Sequence, residues 1–310
     1  MKDNFVFFVL KKLFEVSLSL WSLVTLTFLF LRFLPGGPFD QEIAPHPLVR
    51  EYLNKSWHRD EGLFSQYFSY MNSLLHGDLG ISLSNPTQAV TQIISNGLSK
   101  TLFLNLLSLF IIYLCSFLIC FLWASTRRLI LQTAIEQLLL VLISLPSLFL
   151  APLLIYIFGF YFDLLPVALL ETSAHYLLPV VALSLRPTAY LGRLLLRSVT
   201  DQMGKDYART AKSKGLNASA IFYRHILRNS LIPVLSYSGT LIVSLLSGSF
   251  LVEMLFAVPG LGSEFISSLA ERDYTVICGL TLFYGTLLIL IHLFLDFVMH
   301  TVDPRLREPV

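Results

Sequence analysis

Six stretches of the chain are apolar for long enough to cross a bilayer, which takes roughly 20 mostly apolar residues. They fall at about 14–34, 102–124, 136–160, 177–198, 231–256 and 276–299. An unpaired backbone amide is intolerable in hydrocarbon, so each stretch is expected to be a helix. The connections between them are uneven. Residues 35–100 mix turn residues with an amphipathic run, Leu63–Leu75, and residues 193–230 are polar and basic. The pattern predicts an all-α integral membrane protein with six transmembrane helices. Residues 1–100 hold the first helix and its long loop, and residues 101–310 hold a five-helix core that carries the basic loop at about 193–230.

The basic residues orient these helices. Lys2, Lys11 and Lys12 precede the first stretch, and Arg127 and Arg128 follow the second. Arg193, Arg197, Lys205, Arg209, Lys212, Lys214, Arg224 and Arg228 follow the fourth, and Arg305 and Arg307 end the chain. The other side holds Arg50, Lys55, Arg59, Lys100 and Arg272, mostly in the long first loop, where charge weighs less. Excess Lys and Arg stay inside, so both termini are expected to be cytoplasmic and the 35–100 loop extracytoplasmic.

Composition narrows the function classes. Residues are 55% hydrophobic and 14% charged, against about 25% charged in soluble domains. A net charge of +2 with no basic–aromatic patch gives no reason to expect nucleic acid as a partner. Cys115, Cys120 and Cys278 lie in apolar runs without a CxxC pair and read as small hydrophobic filler. The seven His residues show no ligand spacing, so no metal or other cofactor is expected. The apolar run at 16–34 exceeds a signal-peptide core, and Arg32-Phe33-Leu34-Pro35-Gly36-Gly37-Pro38 offers no cleavage site, so the first stretch reads as an uncleaved span. Gly204-Lys205 is no phosphate loop, because Val199 stands where that motif needs Gly and Asp206 where it needs Ser or Thr. No catalytic residues are expected, and any ATP must be hydrolysed elsewhere.

The basic loop reads as two short helices with a sharp break. Asp206 suits an N-cap, Gly215 the left-handed position after a helix, and Asn217 the cap of a second helix ending near Asn229, ahead of Pro233. Ala208, Ala211 and Gly215 then share a small-residue face, flanked by Arg209 and Lys212. An isolated helix of this length is unstable in water. Either that face docks in a partner's groove, or the helix lies at the headgroups, held by its basic residues.

The run Asp206-Tyr207-Ala208-Arg209-Thr210-Ala211-Lys212-Ser213-Lys214-Gly215-Leu216 resembles the inward-loop motif of ABC-importer permeases, in which Glu-Ala-Ala is followed three residues later by Gly. Here Arg209-Thr210-Ala211 takes the Glu-Ala-Ala place, with Arg209 replacing the acid, and Gly215 takes the Gly place. The Arg-Thr-Ala form is similar to the oligopeptide/dipeptide/nickel branch. Arg32-Phe33-Leu34-Pro35-Gly36-Gly37-Pro38, Gly77-Asp78-Leu79-Gly80, Pro259-Gly260-Leu261-Gly262, Arg272-Asp273-Tyr274 and Asp303-Pro304-Arg305 together resemble the B-type permease of peptide importers, and of these the Gly-Gly-Pro-Phe run at 36–39 and the Arg-Asp-Tyr-Thr run at 272–275 lean towards oligopeptide systems.

The resemblance implies a type I ABC importer permease in a bacterial inner membrane. Asp206, Tyr207, Ala208, Arg209, Thr210, Ala211 and Gly215 would couple to ATPases. The implied partners are a second homologous permease, two cytoplasmic ABC ATPase subunits, an extracytoplasmic peptide-binding protein, the peptide substrate and the lipid bilayer.

Ionisable residues in or beside the spans are Glu136, Arg186, Glu253, His292 and Asp296. Such residues default to functional hypotheses. Arg186, ahead of Pro187, is expected either to line a pathway and meet peptide carboxylates or to pair with Glu253 or Asp296. Glu253 suits a structural hydrogen bond as well as a substrate contact. The rival class is an ion- or proton-coupled secondary transporter working without ATPases, which would show broken helices in paired repeats.

Overall fold

The computed structural model describes residues 2–33, 47–48, 51, 62–126, 128–168, 170 and 172–302. Pro35-Gly36-Gly37-Pro38 and Asp303-Pro304-Arg305 lie outside the described residues. Regular structure among the described residues is helical, apart from one isolated bridge between Ile81 and Ala89. The chain forms two compact units, one of residues 1–101 with 259–310 and one of residues 102–258.

In the first unit, α1 (Lys2–Phe33) packs along α11 (Tyr274–Val302). A Cβ on Gly285 would stand 2.5 Å from Leu23 Cδ2, so a larger residue would displace the Leu23 side chain where the two helices meet. Lys12 Nζ reaches Asp296 Oδ2 at 2.8 Å and joins the same pair of helices. The amphipathic run forms a helix, α2 (Leu63–Leu75). Its buried Tyr70 and its Tyr67 pack on Phe28 of α1, with ring centroids 5.7 and 5.3 Å away. Tyr67 Oη also lies 2.9 Å from Thr25 Oγ1.

The short glycine and aspartate motifs of this unit meet in one clasp. Gly77 and Gly80 take positive φ, and Asp78 Oδ1 accepts from the Gly80 N–H at 2.9 Å. This turn leads into Ser82 and Ser84, whose hydroxyls donate to Asp273 Oδ2 at 2.5 and 3.0 Å, joined by the Ser84 N–H at 3.1 Å. Asp273 Oδ1 meanwhile accepts from Val276 N–H at 3.2 Å and caps α11. Asp273 is 1% exposed, so these donors replace water around its carboxylate. Before it, α10 (Leu261–Glu271) starts where the Leu261 N–H donates to Thr101 Oγ1 at 2.8 Å.

The second unit is built around α6 (Leu177–Met203), about 40 Å long. Its Leu178, Ala182, Ala189, Leu191, Leu195 and Val199 are buried among α4 (Leu129–Ser144), α5 (Ser147–Leu154) and α9 (Arg228–Leu255). The helix α3 (Val90–Ser125) runs from the first unit into the second.

The single straight span expected at 136–160 is corrected. Leu129–Ser144 and Phe149–Tyr161 meet at a bend of 109°. Pro146 is the cause: it disfavours helical dihedrals at the preceding residue, and Leu145 is extended, with φ −72° and ψ 127°. Beyond Pro152 the chain winds as a π-helix over Ile155–Tyr161. The stop expected near Asn229 is also absent. Helix α8 (Ala218–Ile221) passes through a π-helical stretch, Phe222–Leu227, straight into α9 with Pro233 inside it. Pro233 and Asn229 are both exposed, so the carbonyl that Pro233 leaves unpaired is not buried.

Among the described residues, four helices are long and apolar enough to cross a membrane: Val9–Phe30, Val90–Ser125, Phe222–Leu255 and Tyr274–Val298. The bent pair makes a fifth if it counts as one span. Helix α6 is long enough, but Arg186, Arg193 and Arg197 make it less apolar than a lipid-facing helix.

Asp273→Asn should keep an oxygen for the Val276 cap but present an NH₂ where the serine hydroxyls need an acceptor. We expect a loss of about 1–3 kcal/mol, read as a lower thermal midpoint of the detergent-purified protein, with a larger loss for Asp273→Ala.

Candidate functional site

The basic loop leaves the end of α6 through Gly204 and enters α7 (Asp206–Ser213). The cap is Lys205, whose carbonyl accepts from the Ala208 and Arg209 N–H groups at 3.1 and 3.4 Å. This corrects the expectation for Asp206, which is the first helical residue. Its carboxylate lies 3.8 Å from Arg209 Nη1, where it complements both that guanidinium and the positive end of the helix. Tyr207 Oη donates to Gln202 Oε1 at 2.6 Å and ties α7 back to α6.

The helix ends as the sequence predicts. Gly215 has φ +78°, and the Leu216 N–H returns to the Ala211 carbonyl at 3.3 Å, the outer hydrogen bond of a Schellman turn. Asn217 Oδ1 then accepts from the Ala220 N–H at 2.7 Å and caps α8.

One expectation about this helix is overturned. Ala208 and Ala211 are 7% and 6% exposed, buried by this chain itself, and Ala211 belongs to the same apolar core as Ile221 and Ile226. Small residues are needed here for α7 to settle on its own unit, so that face is not open to a partner. The open side carries Asp206, Arg209, Thr210, Ser213 and Gly215. That side is therefore a polar, hydrogen-bonding surface.

The other candidates separate clearly. Glu253, on α9, is fully buried. Arg186 lies on the exposed side of α6, beside a cavity of about 110 Å³ also bordered by Ala182, Pro187, Ser244 and Gly248. Asp296, offered as an alternative partner for Arg186, instead pairs with Lys12, because both project from the closely packed α1 and α11. Glu136 Oε1 accepts from Trp123 Nε1 at 3.0 Å, and His292 Nδ1 lies 2.8 Å from the Leu288 carbonyl of its own helix. These contacts give both residues local structural roles.

Residue-by-residue reading missed a pattern on α6. Tyr190, Arg193 and Arg197 are exposed together with Arg186, at spacings of four, three and four residues. Tyr190 also stacks near Tyr237 of α9, with ring centroids 4.6 Å apart. Counting Arg193 and Arg197 only as topology charges hid this stripe; its helical spacing was the available signal.

A family model described as binding-protein-dependent transport system inner membrane component matches residues 116–308. The chain is 34% identical over 300 residues to the dipeptide transport system permease protein of Bacillus subtilis, with 97% of each chain covered. It is 31% identical over 302 residues to the oligopeptide transport system permease protein of Haemophilus influenzae, covering 97% of this chain and 99% of that one. The oligopeptide transport system permease protein of Escherichia coli K12 is 30% identical over 302 residues, with the same coverage. A crystal structure of an amino acid ABC transporter with histidines shares the fold, with a TM-score of 0.56 at 19% identity over 68% of this chain and 95% of that chain.

Ala211→Asp places a carboxylate in the packed core beneath α7, whereas Ser213→Asp adds one on the open side. We expect Ala211→Asp to cost about 2–4 kcal/mol and to lower the thermal midpoint of the purified chain clearly, with Ser213→Asp close to the parent.

Proposed function

This chain belongs to the family of binding-protein-dependent transport system inner membrane components, and we propose that it is the B-type permease subunit of an ATP-driven peptide importer in a bacterial inner membrane. The observation that carries this reading is coverage. Relatives named as dipeptide and oligopeptide permeases match 97% of the chain and 97–99% of their own lengths, so the likeness extends from the first helix to the last. Peptides are the cargo class. Because both dipeptide and oligopeptide systems stand among the relatives, the lean of the short motifs towards oligopeptides remains part of the proposal.

In this reading α6 and the bent α4–α5 pair join the four apolar helices as membrane crossings, making six, with both termini cytoplasmic. Residues 1–100 supply the first crossing and an extracytoplasmic loop subdomain. Residues 101–310 supply the five-helix permease core. A second homologous permease completes the path, two cytoplasmic ATPase subunits drive it, and an extracytoplasmic binding protein delivers the peptide.

The loop at about 193–230 transmits the ATPase motion. Its geometry suits that task. α7 is tied to α6 through Tyr207 and Gln202 and seated on the core through Ala208 and Ala211. A push on its open side therefore reaches a long buried helix with little slack between them. Asp206, Arg209, Thr210 and Gly215 form the contact surface, while Tyr207, Ala208 and Ala211 hold it in place. Arg186 borders the pathway, and Glu253 has a structural role in α9. The relatives named above are permeases of transport systems and give the secondary-transporter alternative no support.

The test replaces the open side alone. Thr210→Trp with Ser213→Trp adds bulk where neither side chain is buried, so the chain should insert and melt normally. We expect at least a tenfold fall in ATPase subunits recovered with the tagged permease and a matching loss of peptide uptake. Normal recovery and normal uptake would remove the coupling role from this loop.

A further inference from the structure

Helix α6 exposes a stripe of three arginines and a tyrosine along one side. Arg186, Tyr190, Arg193 and Arg197 follow one another at helical spacing, so all four point within roughly 60° of one direction. From Arg186 to Arg197 the stripe runs about 16 Å along the axis. Leu178, Ala182, Ala189, Leu191, Leu195 and Val199, by contrast, are buried in the core of their own unit.

Depth makes this stripe informative. Arg186 is nine residues into α6, about 13 Å from its start, which places it near the middle of a crossing. Arg193 and Arg197, towards the other end, are near enough to snorkel to headgroups, but Arg186 is not. A guanidinium at that depth faces protein or water rather than lipid. The cavity beside it supports the watery choice. Arg186 and Ser244 supply its polar lining, against apolar walls that include Leu183, Leu245 and Val252, and its volume of about 110 Å³ has room for water. Pro187 has no N–H to give to the Leu183 carbonyl four residues back, and both Leu183 and Ser244 border this cavity.

We propose that this stripe is a basic rail along the translocation path, and that its occupant is the free C-terminal carboxylate of the passing peptide. Arg186 receives the carboxylate near the middle of the crossing, and Arg193 and Arg197 hand it on towards the cytoplasm. A guanidinium fork matches a carboxylate in a bidentate geometry. The Tyr190–Tyr237 pair beside the rail offers flat aromatic surface to the backbone. Carboxylate and amide plane are common to peptides of any sequence, so such a rail does not depend on the identity of their side chains. The proposal rests on the peptide-importer reading above and adds to it the residues that guide the cargo.

The experiment uses proteoliposomes holding the complete importer, with both permeases, the ATPases and the binding protein, and a radiolabelled free-acid peptide. One variant carries Arg186→Gln with Arg193→Gln, and a second carries Arg186→Lys with Arg193→Lys. The rail predicts at least a tenfold loss of uptake in the Gln variant, with ATPase recovery and binding-protein-stimulated hydrolysis within twofold of the parent. It also predicts recovery of at least a third of the uptake in the Lys variant. Unchanged uptake in the Gln variant overturns the rail. So does a loss of uptake accompanied by loss of assembled complex that Lys does not restore, which would place these arginines at the interface with the second permease. Failure of the unsubstituted importer to take up peptide with ATP would instead overturn the importer reading itself.

Discussion

Hydrocarbon excludes charge, and the helix Leu177–Met203 carries three arginines through what would be a membrane crossing. That constraint organises the residues around it. Most of its apolar side chains are buried among three other helices of the same unit, while Arg186, Arg193 and Arg197 stay exposed. Such a helix need not be apolar all round, because protein rather than lipid surrounds most of it. The helices α1, α3, α9 and α11 carry the long apolar windows instead.

The same helix also positions the loop that is proposed to receive work. A short helix in isolation would fray. Here it is stabilised at both ends and underneath: the Schellman turn at Gly215, the Tyr207–Gln202 hydrogen bond and the burial of Ala208 and Ala211. The small residues of the motif therefore have a reason that lies within the chain. They let α7 sit close on its own core, and the polar residues between them are left for a partner. In the other unit, Asp273 plays a comparable organising part by gathering Ser82, Ser84 and the start of α11 around one carboxylate.

Much of this was legible in the sequence, because the strongest signals are local. Apolar length marked the helices, and the amphipathic run at Leu63–Leu75 was a helix with those bounds. Gly215 and Asn217 announced the break between α7 and α8 through backbone chemistry that depends on few neighbours. What sequence hid was tertiary. Apolarity alone could not reveal that Pro146 bends the third stretch by 109°, since Leu and Ile surround it on both sides. Nor could it say which way α7 faces, because a small-residue stripe suits a partner's groove and the chain's own core equally well. The Lys12–Asp296 pair and the Asp273 clasp join residues far apart in the chain, so neither announces itself in any short window.

The central claim is that this chain conducts peptides and draws its energy from ATPases bound to it, with no energy source of its own. Peptide accumulation in sealed proteoliposomes tests it most directly, comparing the full importer with the permease pair alone. Accumulation is expected only with ATPases present and ATP on their side of the membrane, unchanged when ionophores collapse the ion gradients. Accumulation by the permeases without ATPases, driven by an imposed proton or sodium gradient, would contradict it.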